Sequence, residues 1–151
     1  MLTPVLVVGG WVVVYRLQAL QARRKHLREM AEKTREAVVQ LLELAIKFHT
    51  TKFDSQQKLA IVLALTHIEK RYELFPHIAV GKNECMPSAV DPALVTINPA
   101  FLVELRQAIT LDHFDGDEEP LSQGAEQVQR ISAAALGLIG EIDRVIVSAL
   151  D

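Results

Sequence analysis

Histidines and carboxylates are the side chains in this sequence that could hold a metal ion, provided that a helix presents them together. Helical bundles that bind two iron ions use paired Glu-x-x-His motifs on facing helices, and this sequence contains no such motif. His67, Glu69 and Glu73 share a predicted helix, but His67 and Glu69 are about 200° apart around its axis. We therefore expect no metal site and no cofactor here, only a solvated helix face.

An acidic turn, DHFDGDEEP at residues 112–120, carries oxygen ligands of the kind that Ca²⁺ and Mg²⁺ prefer. Its carboxylates do not follow the spacing of an EF-hand loop, which needs a glycine at position six and a glutamate at position twelve. The turn is therefore expected to be a solvated connection between helices.

Arg106 and His113 bracket the segment R-QAITLD-H and stand seven residues apart, which places both on one face of a helix. The pair resembles the Arg-x(4–6)-His signature of HEPN ribonucleases, which are also helical bundles of this size. The resemblance implies that His113 serves as the acid/base and Arg106 as the phosphate ligand in RNA cleavage. Gln107 stands where that family often carries Asn or Asp. An RNA-cleaving toxin or defence effector is thus the enzymatic alternative for this chain.

Other catalytic motifs are missing from the sequence. There is no Gly-x-Ser-x-Gly, and Gly9-Gly10 is not followed by the Lys-Ser/Thr of a phosphate-binding loop. Cys85, the single cysteine, excludes an internal disulfide and has no basic cluster beside it. We therefore expect a non-enzymatic protein.

The clearest physical signal lies at the start of the chain, in the apolar run PVLVVGGWVVVY at residues 4–15. A spanning helix needs about 20 apolar residues; continuing the helix to Leu20 gives roughly 17, the lower limit, if Arg16 extends toward the headgroups. This predicts a membrane anchor whose apolar residues are Val5, Leu6, Val7, Val8, Gly9, Gly10, Trp11, Val12, Val13, Val14 and Tyr15.

Basic residues follow this run and none precedes it, so the C-terminal side is predicted to remain cytoplasmic and the N-terminus outside. Residues 1–35 hold seven Lys or Arg against two Asp or Glu, whereas residues 36–151 hold nine against seventeen. A secretory signal has the reverse order, with its basic part first. The pattern favours a bacterial inner membrane, with basic side chains facing anionic lipid at Arg16, Arg23, Arg24, Lys25 and Arg28.

Two other interpretations of residues 4–15 remain open. VLVV-GG-WVVVY is also typical of a β-hairpin with a Gly-Gly turn. Alternatively, the run is a short helix buried in the bundle or in the intersubunit core of a soluble oligomer. Nucleic acid is an unlikely partner on charge grounds, because the basic segment lacks interleaved aromatic residues and the rest of the chain is acidic.

A seven-residue repeat starts at Leu17 and predicts a long first helix that ends near residues 49–51. Its seam positions are Leu17, Leu20, Arg24, Leu27, Ala31, Thr34, Val38, Leu41, Ala45 and Phe48. A second helix is predicted from Asp54 or Ser55 to just before Pro76, with the core residues Ile61, Leu65, Ile68, Tyr72 and Phe75. Its apolar middle, LAIVLAL, predicts that it is the most buried helix.

Asn98-Pro99 predicts the start of a third helix that reaches about Phe114, with a core face of Phe101 or Leu102, Leu105 and Ile109. A fourth is predicted over residues 122–149, with Val128, Ile131, Ala135, Leu138, Ile142, Val145 and Ala149 in register. The predicted fold class is therefore all-α, a mainly antiparallel four-helix bundle whose extended first helix continues from the anchor.

These elements predict three segments: an anchor at residues 1–20, a basic heptad stalk at 21–36 and a bundle domain at 37–151. The expected function is that of a membrane-anchored adaptor or assembly subunit that binds proteins at the cytoplasmic face. The heptad seam and the irregular segment 76–98 are the expected surfaces for partner binding or self-association.

Overall fold

Four helices make up the described part of the chain: α1 (Thr3–Thr50), α2 (Ser55–Val80), α3 (Pro99–Thr110) and α4 (Glu126–Leu150). The computed structural model describes residues 3–80, 96–111, 114 and 119–150. The predicted all-α bundle is confirmed. Residues 3–15 are helical, so the β-hairpin interpretation is wrong.

The four helices alternate in direction. α1 and α2 form a hairpin, and α1 also packs against α4, which packs against α3. The Leu121 N–H donates to the His49 carbonyl at 2.8 Å, which places the approach to α4 beside the end of α1. Farther along, Arg35 on α1 pairs with Asp143 on α4 at 3.1 Å. The two helices therefore run antiparallel, as predicted.

The core is built from the predicted heptad positions. Seven consecutive seam residues of α1 are buried: Leu27, Ala31, Thr34, Val38, Leu41, Ala45 and Phe48. All five predicted core residues of α2, together with Leu102, Leu105 and Ile109 of α3, are also buried. The α4 positions from Val128 to Val145 are buried too, and Ala149 is partly buried. Burial in α1 begins at Leu27, inside the segment 21–36 that the sequence assigns to the stalk.

Local capping residues fix where the helices begin. Asp54 Oδ1 accepts a hydrogen bond from the Gln56 N–H at 2.8 Å, ahead of α2. Asn98 Oδ1 accepts from the Ala100 N–H at 3.0 Å, with Pro99 in the first turn of α3. Both satisfy amide donors that have no partner within the helix. These predicted starts are confirmed.

Two predicted helix ends are wrong. α2 continues through Pro76 to Val80, because a proline removes one hydrogen bond and kinks a helix without having to end it. The buried side chains of Tyr72 and Phe75 hold this turn against the core. α3 ends at Thr110, before Phe114, whose ring instead packs against Phe48 with centroids 5.4 Å apart.

Candidate functional site

The first half of α1 extends beyond the bundle, and the apolar side chains that the structure describes there are exposed. Trp11 and Tyr15 are each 73% exposed, and Leu17 and Leu20 are 54% and 52% exposed. Residues 11–26, the N-terminal extension, span about 24 Å at 1.5 Å per residue. Apart from the half-buried Arg23, every described side chain in it is exposed. The extension therefore offers a surface that its own bundle does not cover.

The predicted anchor residues lie within α1, and four of them have described side chains. Trp11, Val13, Val14 and Tyr15 are all exposed. The side chains of Val5, Leu6, Val7, Val8, Gly9, Gly10 and Val12 lie outside the described ones. In the described parts of the chain, no helix combines the length and hydropathy that crossing a membrane requires.

The predicted lipid-facing basic residues lie between these apolar residues and the bundle core. Arg16, Arg24, Lys25 and Arg28 are exposed. No Asp or Glu precedes Glu29 in the sequence. Lys25 lies 3.8 Å from Glu29 in an exposed i,i+4 pair, which neutralises little of its charge. The extension and the turn that follows it therefore carry concentrated positive charge.

The heptad seam divides into two parts in the structure. From Leu27 to Phe48 it is buried inside this chain's own bundle. Its first three positions, Leu17, Leu20 and Arg24, are exposed. Only this first part of the seam is available to another molecule.

A second apolar surface lies on the outer side of α2. The prediction that α2 is the most buried helix is wrong, because Leu59 and Leu63 are each 60% exposed and Val62 is 42% exposed. Helix α2 packs chiefly on α1, so its inner face fills with Ile61, Leu65 and Ile68 while the opposite side faces solvent. Leu59, Val62 and Leu63 form what we call the α2 outer patch.

The residues of the proposed ribonuclease pair are only partly described. Arg106 lies on α3, and its guanidinium forms a 2.8 Å ion pair with Glu69 of α2. His113 lies outside the described residues, as do Cys85 and residues 112 and 115–118 of the acidic turn. The ion pair gives Arg106 a role in joining α2 to α3.

An ionic cluster around a buried carboxylate, which the sequence analysis missed, lies where α3 begins. Glu141 of α4 is buried, receives two 2.7 Å hydrogen bonds from Arg144 and accepts a third from the Asn98 N–H at 2.9 Å. The bonds from Arg144, and then that from Asn98, hold the pKa of Glu141 below its usual range despite its burial. Burial and the nearby Glu141 carboxylate raise the pKa of Tyr72. The cluster fastens the start of α3 to α4.

His49 is a second buried polar residue that periodicity did not reveal. Its Nε2 atom lies 3.0 Å from the Ile109 carbonyl, linking the ends of α1 and α3. Both residues of this pair are in the interior, so the contact is structural. Within the described residues, no group of three or more His, Cys, Asp or Glu side chains is placed to hold a metal ion.

No family model, curated protein sequence or solved structure matches this chain. The function proposed below therefore rests on the surfaces just described. Of these, the N-terminal extension combines exposed apolar side chains with concentrated charge, and the α2 outer patch is apolar.

Proposed function

We propose that this chain is a non-enzymatic helical adaptor that attaches to the cytoplasmic face of a membrane through the first half of α1. The bundle would then bind protein partners next to that membrane. The observation that carries this proposal is the exposed N-terminal extension, which is apolar at its start and basic toward the bundle, and which is continuous with a core helix.

The hydrophobic effect supports attachment to an apolar phase. Removing one exposed Val or Leu side chain from water is worth about 1.5–3 kcal/mol. The extension exposes Trp11, Val13, Val14 and Tyr15 consecutively or nearly so, followed by Leu17 and Leu20. Exposed apolar surface of this extent is typical of a membrane or protein contact.

Electrostatics supports an anionic phospholipid surface as the partner. Each Lys or Arg near such a surface contributes roughly 1 kcal/mol, and the attraction falls off within a Debye length. Arg23, Arg24, Lys25 and Arg28 fall within two helical turns and have no acidic residue before them in the sequence. The same residues set the orientation, since positive charge remains on the cytoplasmic side.

The proposed protein contact is the α2 outer patch, which lies on a part of the bundle that the extension does not use. Leu59 and Leu63 are one helical turn apart, with Val62 beside them. Exposed residues at this spacing match the way an amphipathic partner helix places its apolar side chains. The segment 76–98, the contact expected from sequence, is described only at residues 76–80 and 96–98.

Flotation with lipid vesicles tests the proposal. The wild-type protein should float with vesicles that contain an anionic phospholipid. Changing Arg23, Arg24, Lys25 and Arg28 to Glu should abolish flotation at moderate salt, because the charge that faces the lipid is reversed. Equal binding of this variant and wild type would contradict the proposal.

A matched control changes four exposed basic residues of the bundle to Glu: Lys47, Lys52, Lys70 and Arg130. This variant has the same net charge as the first, so it separates local contact from overall charge. It should float as the wild type does. If the wild type stays soluble and oligomeric in the presence of vesicles, residues 4–15 are instead an intersubunit core.

A further inference from the structure

In the N-terminal extension of α1, a wholly apolar stretch and a wholly basic stretch follow one another along the helix axis. A helix that lies flat on a membrane places its apolar residues on one face and its charged residues on the other. In α1 the exposed apolar residues Trp11, Val13, Val14 and Tyr15 come first, and the basic residues follow from Arg16. Within each of these two stretches, Trp11–Tyr15 and Arg23–Lys25, the character of the side chains does not change with helical face; Leu17 and Leu20 lie between them.

The spacing of the residues makes this arrangement unavoidable. Arg23, Arg24 and Lys25 are consecutive, and consecutive residues point about 100° apart, so the three project from different sides of the helix. Val13, Val14 and Tyr15 are consecutive too, and each is about half exposed or more. A helix parallel to the membrane plane cannot bury Val13, Val14 and Tyr15 together, because they point to different sides. For the same reason it cannot keep Arg23, Arg24 and Lys25 all in contact with headgroups.

We infer that α1 enters an anionic phospholipid bilayer end-on, with its axis steep to the membrane surface. Trp11 would lie in the hydrocarbon and Tyr15 and Arg16 at its boundary, while the long side chains of Arg23, Arg24 and Lys25, about 10–14 Å farther along the axis, would form a basic collar at the outer edge of the headgroups. This inference rests on the proposed membrane attachment and adds its geometry. A tyrosine at position 15 agrees with this geometry, since tyrosine is enriched at the membrane–water interface.

The end-on geometry also sets the distance between membrane and bundle. Leu27, the first buried residue among those of α1 with described side chains, follows Arg16 by eleven positions, which corresponds to about 16 Å of helix. α1 is one helix from Thr3 to Thr50, so it connects the two without a hinge. The start of the bundle is thereby held roughly 16 Å from the hydrocarbon boundary, which keeps its partner surface clear of the lipid chains.

Charge favours an anionic lipid surface over a second copy of this chain as the binding partner of the extension. In a parallel pair of extensions that meet along the seam, Arg24 of one copy would face Arg24 of the other, with Arg23 and Lys25 on either side adding to the positive charge. The sequence offers no carboxylate before Glu29 to relieve this repulsion. Anionic phospholipids supply the opposite charge over a whole surface.

A depth scan by spin labelling tests the geometry. Single cysteines are introduced one at a time at positions 13–26 of the full chain, in a Cys85→Ser background because Cys85 is the only cysteine. Bound to anionic vesicles, the labels should show a depth that decreases steadily from residue 13 to residue 26. A depth that oscillates with a 3.6-residue period would overturn the inference, because it indicates a helix lying flat.

Flotation of each labelled protein keeps the two proposals distinguishable. Bound protein with an oscillating depth profile leaves membrane attachment standing and removes the end-on geometry. Protein that does not bind vesicles contradicts both. Labels at Lys47 and Lys52, which are exposed at the far end of α1, should remain in water and serve as the reference.

Discussion

The two halves of α1 share one helix and one heptad pattern, yet they have opposite environments. From Leu27 to Phe48 the seam is buried by α2 and α4, and Leu41 is completely inaccessible. Before Leu27 the same pattern continues through Leu17 and Leu20, and both side chains are about half exposed. Periodicity therefore specifies which side of a helix is apolar, whereas neighbouring helices decide whether that side is buried.

The difference also separates two roles for apolar residues. Those of the second half stabilise the fold, since they contact other parts of the same chain. The described apolar residues of the extension lie outside that core, so we expect them to add little stability to it. Natural helices seldom retain such exposed residues without a use, which is why we assign the first half to binding.

The largest expected effect comes from truncating the same residue type in each half. Leu41→Ala should lower the free energy of unfolding by about 2–5 kcal/mol, because it leaves a cavity in the core. Leu20→Ala is the matched control and should change it by less than about 0.5 kcal/mol. Urea unfolding followed by circular dichroism measures both. Similar losses for the two variants would show that the first half also packs in a core.

Limited trypsin digestion compares the two halves directly. Cleavage at Arg16, Arg24 or Lys25 should be about a hundredfold faster than at Arg71, which sits beside the buried Tyr72, because helices without tertiary contacts open readily. Anionic vesicles should slow cleavage in the extension alone. Early cleavage at Arg71 would contradict the division of α1 into a free half and a packed half.

Acid should weaken the bundle. Glu141→Gln should reduce stability at pH 7 by about 1.5–3 kcal/mol, since the charge-assisted bonds from Arg144 are lost. The lowered pKa of Glu141 means that its contribution is complete above the ordinary glutamate pKa of about 4.3 and disappears as the pH falls through the lower folded value.

The free energies of unfolding of wild type and Glu141→Gln should therefore become similar as the pH falls below the folded pKa of Glu141. Urea titrations at pH 7 and pH 3 test this, with Glu43→Gln as a control at an exposed site. A constant difference between the two proteins at both pH values would show that Glu141 does not act through its charge. Residues 11–28 contain no carboxylate, so their positive charge persists throughout.

The smallest expected effects concern exposed ion pairs. Arg106→Gln removes the 2.8 Å pair with Glu69 between α2 and α3 and should cost up to about 1 kcal/mol. Lys25→Gln removes the 3.8 Å pair with Glu29 and should cost about 0.3 kcal/mol or less. Chemical denaturation measures the loss of unfolding free energy for Arg106→Gln, which is large enough to resolve. A larger loss for Lys25→Gln would mean that the extension contributes to folding.

Sequence periodicity predicted the core closely because each helix has one well-marked apolar side. Ile61, Leu65 and Ile68 recur at steps of three and four, and the structure buries all three. Asn98 and Pro99 marked a helix start because their preferences are local. Periodicity could not show that Leu59 and Leu63 stay exposed, since that depends on where α1, α3 and α4 lie around α2.

Buried polar residues escaped prediction for a related reason. Glu141 and the Asn98 N–H that donates to it are 43 positions apart, and His49 and Ile109 are 60 apart. Nothing local in the sequence distinguishes Glu141 from the solvated Glu43. Its spacing of three from Arg144 was the one available signal, and such pairs are common on exposed helices. Long-range packing supplies the missing information.

The most direct test of the central claim is the fluorescence of Trp11, the only tryptophan in the chain, as anionic vesicles are added to the unmodified protein. Trp11 is 73% exposed in the structure, so its emission should start near that of tryptophan in water. We predict a blue shift on adding anionic vesicles, with quenching by spin labels placed deep in the lipid chains. Emission that stays unchanged at saturating lipid would contradict membrane attachment through α1.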